Sequence, residues 1–412
     1  MLEEINKRKI KIVMKQAIKK KTFSKPSISS IKEKLGLKIS KDHMVVSSAN
    51  KPVEFIPMPE AFEEALKLPG IPKGEVTLIY GHSNTGKSAL VNCLVASCQK
   101  QGILPVIFDT ENHFSFKFAI DCGMQAEPIY DDVDVEVVNE ETGEITIEKE
   151  RQIVDYDGDF IYMDSEILAD RYGDMDYSAG KKVSKKRKVA VIEDIAYAIN
   201  DILEMQDNEE IKQPLCFIWD SIGSISSYRS HTSKVNNAMW DAGSLSVAFN
   251  TIVNNRIPSS KKVSSPYTNT LVCVNKVWLD SMSSPMSPPS IALKGGKSFT
   301  YSARLSIQLG GVVKAATKRL TAESAGRKYD YGITTKIKVE KNQLDSPFNL
   351  TYEGTFCCVP DGIVSETKLD EYKKAHIKDI IKMLNEQLSK DGEKGNITET
   401  DVVFTEEEME NE

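Results

Sequence analysis

The feature that most constrains this chain is an eight-residue loop. Gly81-His82-Ser83-Asn84-Thr85-Gly86-Lys87-Ser88 fits the pattern G-x-x-x-x-G-K-[ST] at every position. An apolar strand candidate, Glu75–Tyr80 (EVTLIY), precedes it, and a helix candidate, Ala89–Gln101, follows. That is the context the pattern requires. Glycines let the backbone wrap closely around phosphate, and successive N–H groups with a helix N-terminus supply positive potential. Lys87 adds a point charge for the β- and γ-phosphates, and Ser88 offers a hydroxyl to Mg²⁺. The loop therefore predicts a nucleotide site with ATP and Mg²⁺ as ligands.

The surrounding sequence repeats the strand and helix alternation. Leu104–Asp109 (LPVIFD), Leu215–Asp220 (LCFIWD), Leu271–Asn275 (LVCVN) and Ala303–Leu309 read as apolar strands, and Glu193–Met205 reads as an amphipathic helix. This predicts an α/β fold with a mostly parallel sheet flanked by helices. Residues 131–190 interrupt the pattern and read as partly an insertion. Val133–Val137 and Ile145–Ile147 flank Glu140-Glu141-Thr142-Gly143 as a β-hairpin,. Lys181–Lys188 then carries six bases in eight residues, either a mobile solvated loop or a nucleic-acid contact. No apolar run approaches the ~18–20 residues of a membrane helix. The Lys-rich N-terminus lacks the apolar segment of a secretory signal. The seven cysteines show no paired zinc spacing and read as small buried hydrophobes,.

Charge is concentrated at the ends, although the net value is −7. Residues 1–41 hold thirteen Lys/Arg against three Asp/Glu, and the last twelve residues hold six acids and no base. Ile10, Val13, Met14, Ala17 and Ile18 form one apolar stripe on a helix over 7–21,. A helix so short and basic needs a partner to pack on. Residues 367–390 read as a second helix, with Ile377, Ile380, Ile381, Leu384 and Leu388 on one face and a disordered acidic tail beyond. The expected organisation is a 1–50 helix and linker, a 51–365 core, and a 366–412 helix with its tail.

Two carboxylates stand out against the phosphate loop. Asp220 ends an apolar strand, where it can enter a Mg²⁺ shell, and Ser221 follows it. Glu111 lies just past the strand LPVIFD, where it can polarise a water attacking the γ-phosphate,.

Taken together, these segments resemble the RecA family, most closely the UvsX-type recombinases of large bacteriophages. The resemblance spans about residues 50–365 and follows the family order: Leu68–Leu90, Phe108–Glu111 (FDTE), Phe217–Ile222 (FIWDSI), Leu271–Asn275, Lys294–Ser302 (KGGKSFTYS) and Lys336–Phe348 (KIKVEKNQLDSPF). It implies a RecA-like P-loop ATPase core with an N-terminal helical arm and a small C-terminal helical segment. Glu111 matches the general base, Asp220 the Mg²⁺ carboxylate and Phe118 the aromatic against adenine. Gly223–Asn237 matches the first DNA-binding loop and Lys276–Gly296 the second. At the end of that second loop Gly295-Gly296 suits a hinge, while Lys294 and Lys297 suit phosphate contact.

Two positions depart from the family. Lys276 stands where bacterial members have Gln, and Lys341 is the one retained base of a usual pair, because Gln343 replaces the other. The resemblance implies that the residue at 276 senses the γ-phosphate and relays to the DNA loop, and that the basic pair reaches ATP on the neighbouring subunit.

The resemblance implies a DNA-dependent ATPase that forms helical filaments on single-stranded DNA and pairs it with homologous duplex. A loader and a single-strand-binding protein would be partners, in the cytoplasm of a bacterial host. Two alternatives stay open: an ATP- and DNA-binding scaffold with little turnover, and a hexameric helicase-type motor. The motor needs a separate N-terminal partner-binding domain, and about fifty residues precede this core. A plain phosphotransferase would need an added substrate domain.

Overall fold

The apolar strands are apolar because both of their faces are covered. Alternate side chains of a strand point to opposite faces. Ile79, Ile107, Cys216, Ile218, Val272 and Val274 share one face with Leu90, Leu94 and Cys98 of the helix Lys87–Lys100 (α1). Leu78, Val106, Phe108, Phe217, Trp219, Leu271 and Cys273 share the other with Ile195, Ile199 and Ile202. Each fully buried residue of this size contributes about 1.5–3 kcal/mol. The result is a three-layer α/β core.

A computed structural model describes residues 52–138, 145–235, 237–262, 264–279, 291–293, 300–312, 317–344, 351–390 and 397–408. All of these fall in the compact unit Pro52–Glu412. The helix expected over 7–21 lies outside the described residues.

The central strands are β1 (Val76–Gly81), β2 (Leu104–Asp109), β3 (Ile161–Asp164), β4 (Leu215–Asp220), β5 (Thr270–Leu279) and β6 (Leu305–Leu309). They lie in the order β6-β1-β5-β4-β2-β3, parallel throughout. The sheet continues antiparallel through β7 (Thr317–Ser324), β8 (Arg327–Asn342), β9 (Glu353–Val359) and β10 (Gly362–Val364). The helices used below are α2 (Phe116–Asp121), α3 (Ser165–Tyr172), α4 (Ile192–Asp207), α5 (Tyr228–Ser233), α6 (Ala238–Ala248) and α7 (Leu369–Lys390). Among the described residues, no helix is long and apolar enough to cross a membrane. All seven cysteines are free thiols, and six are buried.

Residues 131–190 are divided between core and insertion. The hairpin spans Glu127–Val138 and Ile145–Asp157, longer than expected, with Tyr156 stacked 4.5 Å from Phe116 at its base. Its turn, Glu140–Gly143, lies outside the described residues. The strand β3 is part of the main sheet and runs beside β2. The basic run is not a free loop. Arg187 forms a bidentate pair with Asp194, which is fully buried.

At the other end, α7 lies over the antiparallel strands. Tyr372, Ile380 and Leu384 pack on Leu320, Tyr331 and Cys357, while Ile377 and Ile381 are only half-buried. The side chain of Leu388 lies outside the described residues. The expectation of a disordered tail is corrected over part of its length. Val403–Glu408 forms a strand, β11, antiparallel to β7. Phe404 packs edge-on to Tyr331 at 5.6 Å, and Glu407 pairs with Lys328 at 2.7 Å. Exposed ion pairs contribute little each, so the backbone ladder and Phe404 hold the strand.

Candidate nucleotide site

Register across the parallel strands assembles the site. Lys276 pairs with Gly81 across β5 and β1, and Asp220 pairs with Asp109 across β4 and β2. The strands β1, β4 and β2 thus end level with Lys276 of β5, and ligands of open α/β sheets bind outside such carboxyl ends. A single pocket is lined by Ser83, Asn84, Lys87, Ser88, Glu111, Phe118, Asp220 and Lys276, together with Asn92, Asp109, His113, Phe114 and Ser115.

The loop between β1 and α1 is built to approach an anion. A Cβ on Gly81 would sit 2.4 Å from the Leu309 carbonyl oxygen. Gly86 adopts φ +87°, and its Cβ would meet Cys358 Sγ at 2.3 Å. Glycine is therefore required at both positions. Thr85 is buried and closes the turn by donating to the His82 carbonyl at 2.8 Å. Gly86 caps α1 without any side-chain hydrogen bond, and no acid stands in the first turn. The free N–H groups and the positive end of the helix are left for a negative ligand. Lys87 Nζ donates to the carbonyls of Gly81 and His82 at 3.2 and 2.5 Å. This donor set fits a nucleoside triphosphate. Ser88 and Asp220 are the hydroxyl and carboxylate that would hold its Mg²⁺, which would screen the phosphate charge. The pocket face of Phe118 is a flat apolar surface suited to a base.

The charges in the pocket are coupled. Burial pushes Lys87 down to about 8, against the pull of Asp220 and Glu111 and with some repulsion from Lys276. Burial and then repulsion from Glu111 push Asp220 up to about 7, with Lys87 opposing. Burial alone would raise Glu111. Hydrogen bonds from Lys276 and Ser221, with the charges of Lys276 and Lys87, outweigh it and hold the carboxyl below its usual range. Lys276 Nζ lies 2.7 Å from Glu111 Oε2, and the Ser221 hydroxyl donates to Oε1.

The raised Asp220 carboxyl has a measurable consequence. Its folded pKa exceeds the unfolded 3.8, so the folded state binds a proton that the unfolded chain has already released. Its contribution to stability without nucleotide therefore falls as pH rises from about 4 towards about 7, then levels off. Urea denaturation of the wild type and of Asp220→Asn should show the wild type losing ground between those values. A difference constant with pH would contradict a buried, repelled carboxyl.

Two organising residues were not singled out from the sequence. Asp109 accepts from the backbone N–H of Glu111 and Phe114 at 3.2 and 2.8 Å and from the Tyr162 hydroxyl at 3.1 Å. Thr110 Oγ1 accepts from Ser221 N at 3.1 Å and Trp219 Nε1 at 3.2 Å, joining the ends of β2 and β4. The motif Phe108–Glu111 contains both, but the Thr110 role depends on the pairing of β2 with β4 and the Asp109 contact with Tyr162 on the pairing of β2 with β3.

Other candidates lie elsewhere. Lys341 donates to the carbonyls of Thr300 and Tyr301 at 3.3 and 2.7 Å. It pairs with Ser306, three residues before Leu309, which aligns with Gly81. That places it about 10 Å back along the strands from the phosphate loop, and it does not line the pocket of its own chain. Gly223–Asn237 contains the short helix α5, and the hydroxyls of its N-cap Ser227 and of Ser230 donate to the buried carboxylate of Asp241 in α6 at 2.8 Å. The second loop begins as a ladder, with Val277 to Leu279 paired to Ile291 to Leu293. Lys294, Gly295, Gly296 and Lys297 lie outside the described residues.

The fold and pocket define a RecA-type α/β nucleotide-binding core. Comparison with known proteins agrees: the RecA N-terminal domain family matches residues 10–175. Protein RecA of Francisella philomiragia is 36% identical over 107 residues, 26% of this chain and 28% of that protein. Protein RecA of Herpetosiphon aurantiacus is 35% identical over 106 residues, again 26% and 28%. Protein RecA of Campylobacter lari is 38% identical over 66 residues, 16% of this chain and 19% of that protein. The matches span less than a third of each relative's length, and the likeness to RecA is confined to that part.

Proposed function

We propose that this chain is an ATP-dependent recombinase that polymerises on single-stranded DNA and pairs it with homologous duplex. The observation that carries the reading is the convergence of Lys87, Glu111, Asp220 and Lys276 at the ends of adjacent strands in one pocket beside Phe118. Lys87 and the loop N–H groups orient the triphosphate. Glu111 holds the attacking water and takes its proton. Lys276 sits between Glu111 and the phosphate loop, and γ-phosphate would compete with Glu111 for its ammonium. Lys341 does not line the pocket of its own chain and serves the pocket of a neighbour. Residues 1–50 join subunits, and the two loops hold DNA chiefly by its backbone, so binding is salt-sensitive and largely sequence-independent. The phage-type assignment belongs to the same proposal and rests on the ordered segments quoted above.

One observation favours the scaffold alternative. The Glu111 carboxylate is engaged on both oxygens, by Lys276 and Ser221, and a base so held is weak. Phosphate release with and without single-stranded DNA, with imaging of the same samples, separates the readings. DNA-stimulated turnover with helical filaments is the expected result. Filaments without turnover would favour the scaffold, and closed rings with turnover would favour a helicase-type motor.

A further inference from the structure

The six bases of Lys181–Lys188 fall into two groups. Lys182 pairs with Asp174 at 3.0 Å, Lys186 with Asp170 at 3.0 Å and Arg187 with Asp194 at 2.8 Å. Lys181, Lys185 and Lys188 are exposed, and none of them forms an ion pair among the described residues. The first group fixes the segment, and the second is left facing solvent.

The place where it is fixed is specific. The Arg187 guanidinium donates to both Asp194 oxygens and to the carbonyls of Tyr172 and Val189. It also lies 5.5 Å from the ring centroids of both Tyr177 and Tyr228. Tyr228 is the first residue of α5, in the segment proposed as the first DNA-binding loop. The rings of Tyr177 and Tyr228 meet edge-on at 5.5 Å, and Ile192 N donates to the Ser226 carbonyl at 3.1 Å. The basic run is thus strapped to the start of α5. On α5 and just past it, Arg229 and Lys234 are exposed bases. A groove beside the run is lined by Asn112, Glu166, Asp170, Lys186, Lys188 and Ile225. Of its two acids, Asp170 is taken by Lys186. Tyr197, 41% exposed and 5.0 Å from Tyr177, adds an aromatic face of the kind that stacks on unpaired bases,.

We propose that Lys181, Lys185 and Lys188 form a phosphate-contacting flank that extends the nucleic-acid surface of the first loop and carries the backbone of the bound single strand. This rests on the DNA-binding reading above and adds a site to it. Arg187 is the anchor of the flank and does not touch phosphate, because its two terminal nitrogens are committed to Asp194 and to carbonyls and its Nε is buried. Isolated lysines on a surface are ordinarily solvated. What separates these three is that Asp170, Asp174 and Asp194 are occupied by their neighbours, that Asp176, opposite Lys181 across a short strand pair, accepts hydrogen bonds from Ser178 and Ala179, and that their position relative to α5 is set by a buried ion pair.

The test is equilibrium binding of a labelled oligothymidylate to the full chain with a slowly hydrolysed ATP analogue, across a series of KCl concentrations. Each lost contact to single-stranded phosphate lowers the slope of log affinity against log salt by about 0.7. The triple variant Lys181→Ala/Lys185→Ala/Lys188→Ala should therefore show a slope shallower by about 2 and an affinity about 10–100-fold lower at low salt. Its DNA-free ATP turnover should match the wild type. A wild-type slope in the triple variant overturns the flank. The matched variant Lys374→Ala/Lys378→Ala/Lys382→Ala, on exposed positions of α7, should keep the wild-type slope. An equal loss there would reduce the effect to net charge and overturn the proposal as well. If the wild type itself binds no oligothymidylate, the DNA-binding reading fails and the flank with it. That outcome is visible in the wild-type arm alone.

Discussion

Lys87→Ala lowers ATP turnover by about 10²–10³-fold, the cost of removing one preorganised charged donor from a phosphoryl-transfer site. The ammonium is already in place, because it is held on the carbonyls of Gly81 and His82 at the mouth of α1. Nothing has to reorganise for it to meet phosphate oxygens, and water cannot replace a charge fixed within the pocket wall. The same substitution should leave the fold intact. Burial disfavours the charged form of Lys87 and pushes its pKa down to about 8, so its removal takes a desolvated charge away from the core. Phosphate release and urea unfolding on one preparation check both halves. Turnover within a few-fold of the wild type would remove Lys87 from its role. A collapse in stability would show that the lysine holds the loop and not the nucleotide.

Most of this pocket was legible in the sequence because its parts are local. The phosphate loop is contiguous, Asp220 ends an apolar run that reads as a covered strand, and Glu111 lies two residues past another. What stayed hidden depends on pairing between distant segments. Thr110 gains its role when β2 lies beside β4, more than a hundred residues away in the chain, and Asp109 gains Tyr162 when β2 lies beside β3. The strand β3 is half-buried at the edge of the parallel sheet, so Ile161–Asp164 lacks the full apolar character of β1 or β4. Arg187 reads as one charge in a basic run, yet it is the partner of a fully buried aspartate in α4. The strand β11 carries Glu406 to Glu408, a composition typical of a disordered tail. It forms because β7 offers it a backbone ladder and because Phe404 has an aromatic partner in Tyr331, with Lys318 and Lys328 adding only exposed ion pairs.

Glu111→Gln stops turnover while nucleotide-dependent assembly persists. The amide keeps the shape of the side chain and one acceptor oxygen, so the contact with either Lys276 or Ser221 can survive, and Lys87 is untouched. The amide cannot take a proton from water, and loss of a general base costs about 10²–10⁴-fold. Binding and catalysis should therefore separate: filaments on single-stranded DNA should form with ATP and should outlast those of the wild type, because the step that discharges them is gone. On the proposed reading assembly depends on nucleotide held by the phosphate loop, and the Glu111 carboxylate lies outside that loop. Imaging over time, with phosphate release on the same samples, reads both quantities. Turnover within ten-fold of the wild type would show that the carboxylate held by Lys276 and Ser221 is not the base, and that the ion pair between Glu111 and Lys276 serves to position the ends of β2 and β5. Loss of filaments together with loss of turnover would place that ion pair in assembly, with Lys276 acting through Glu111 on the loop that follows it.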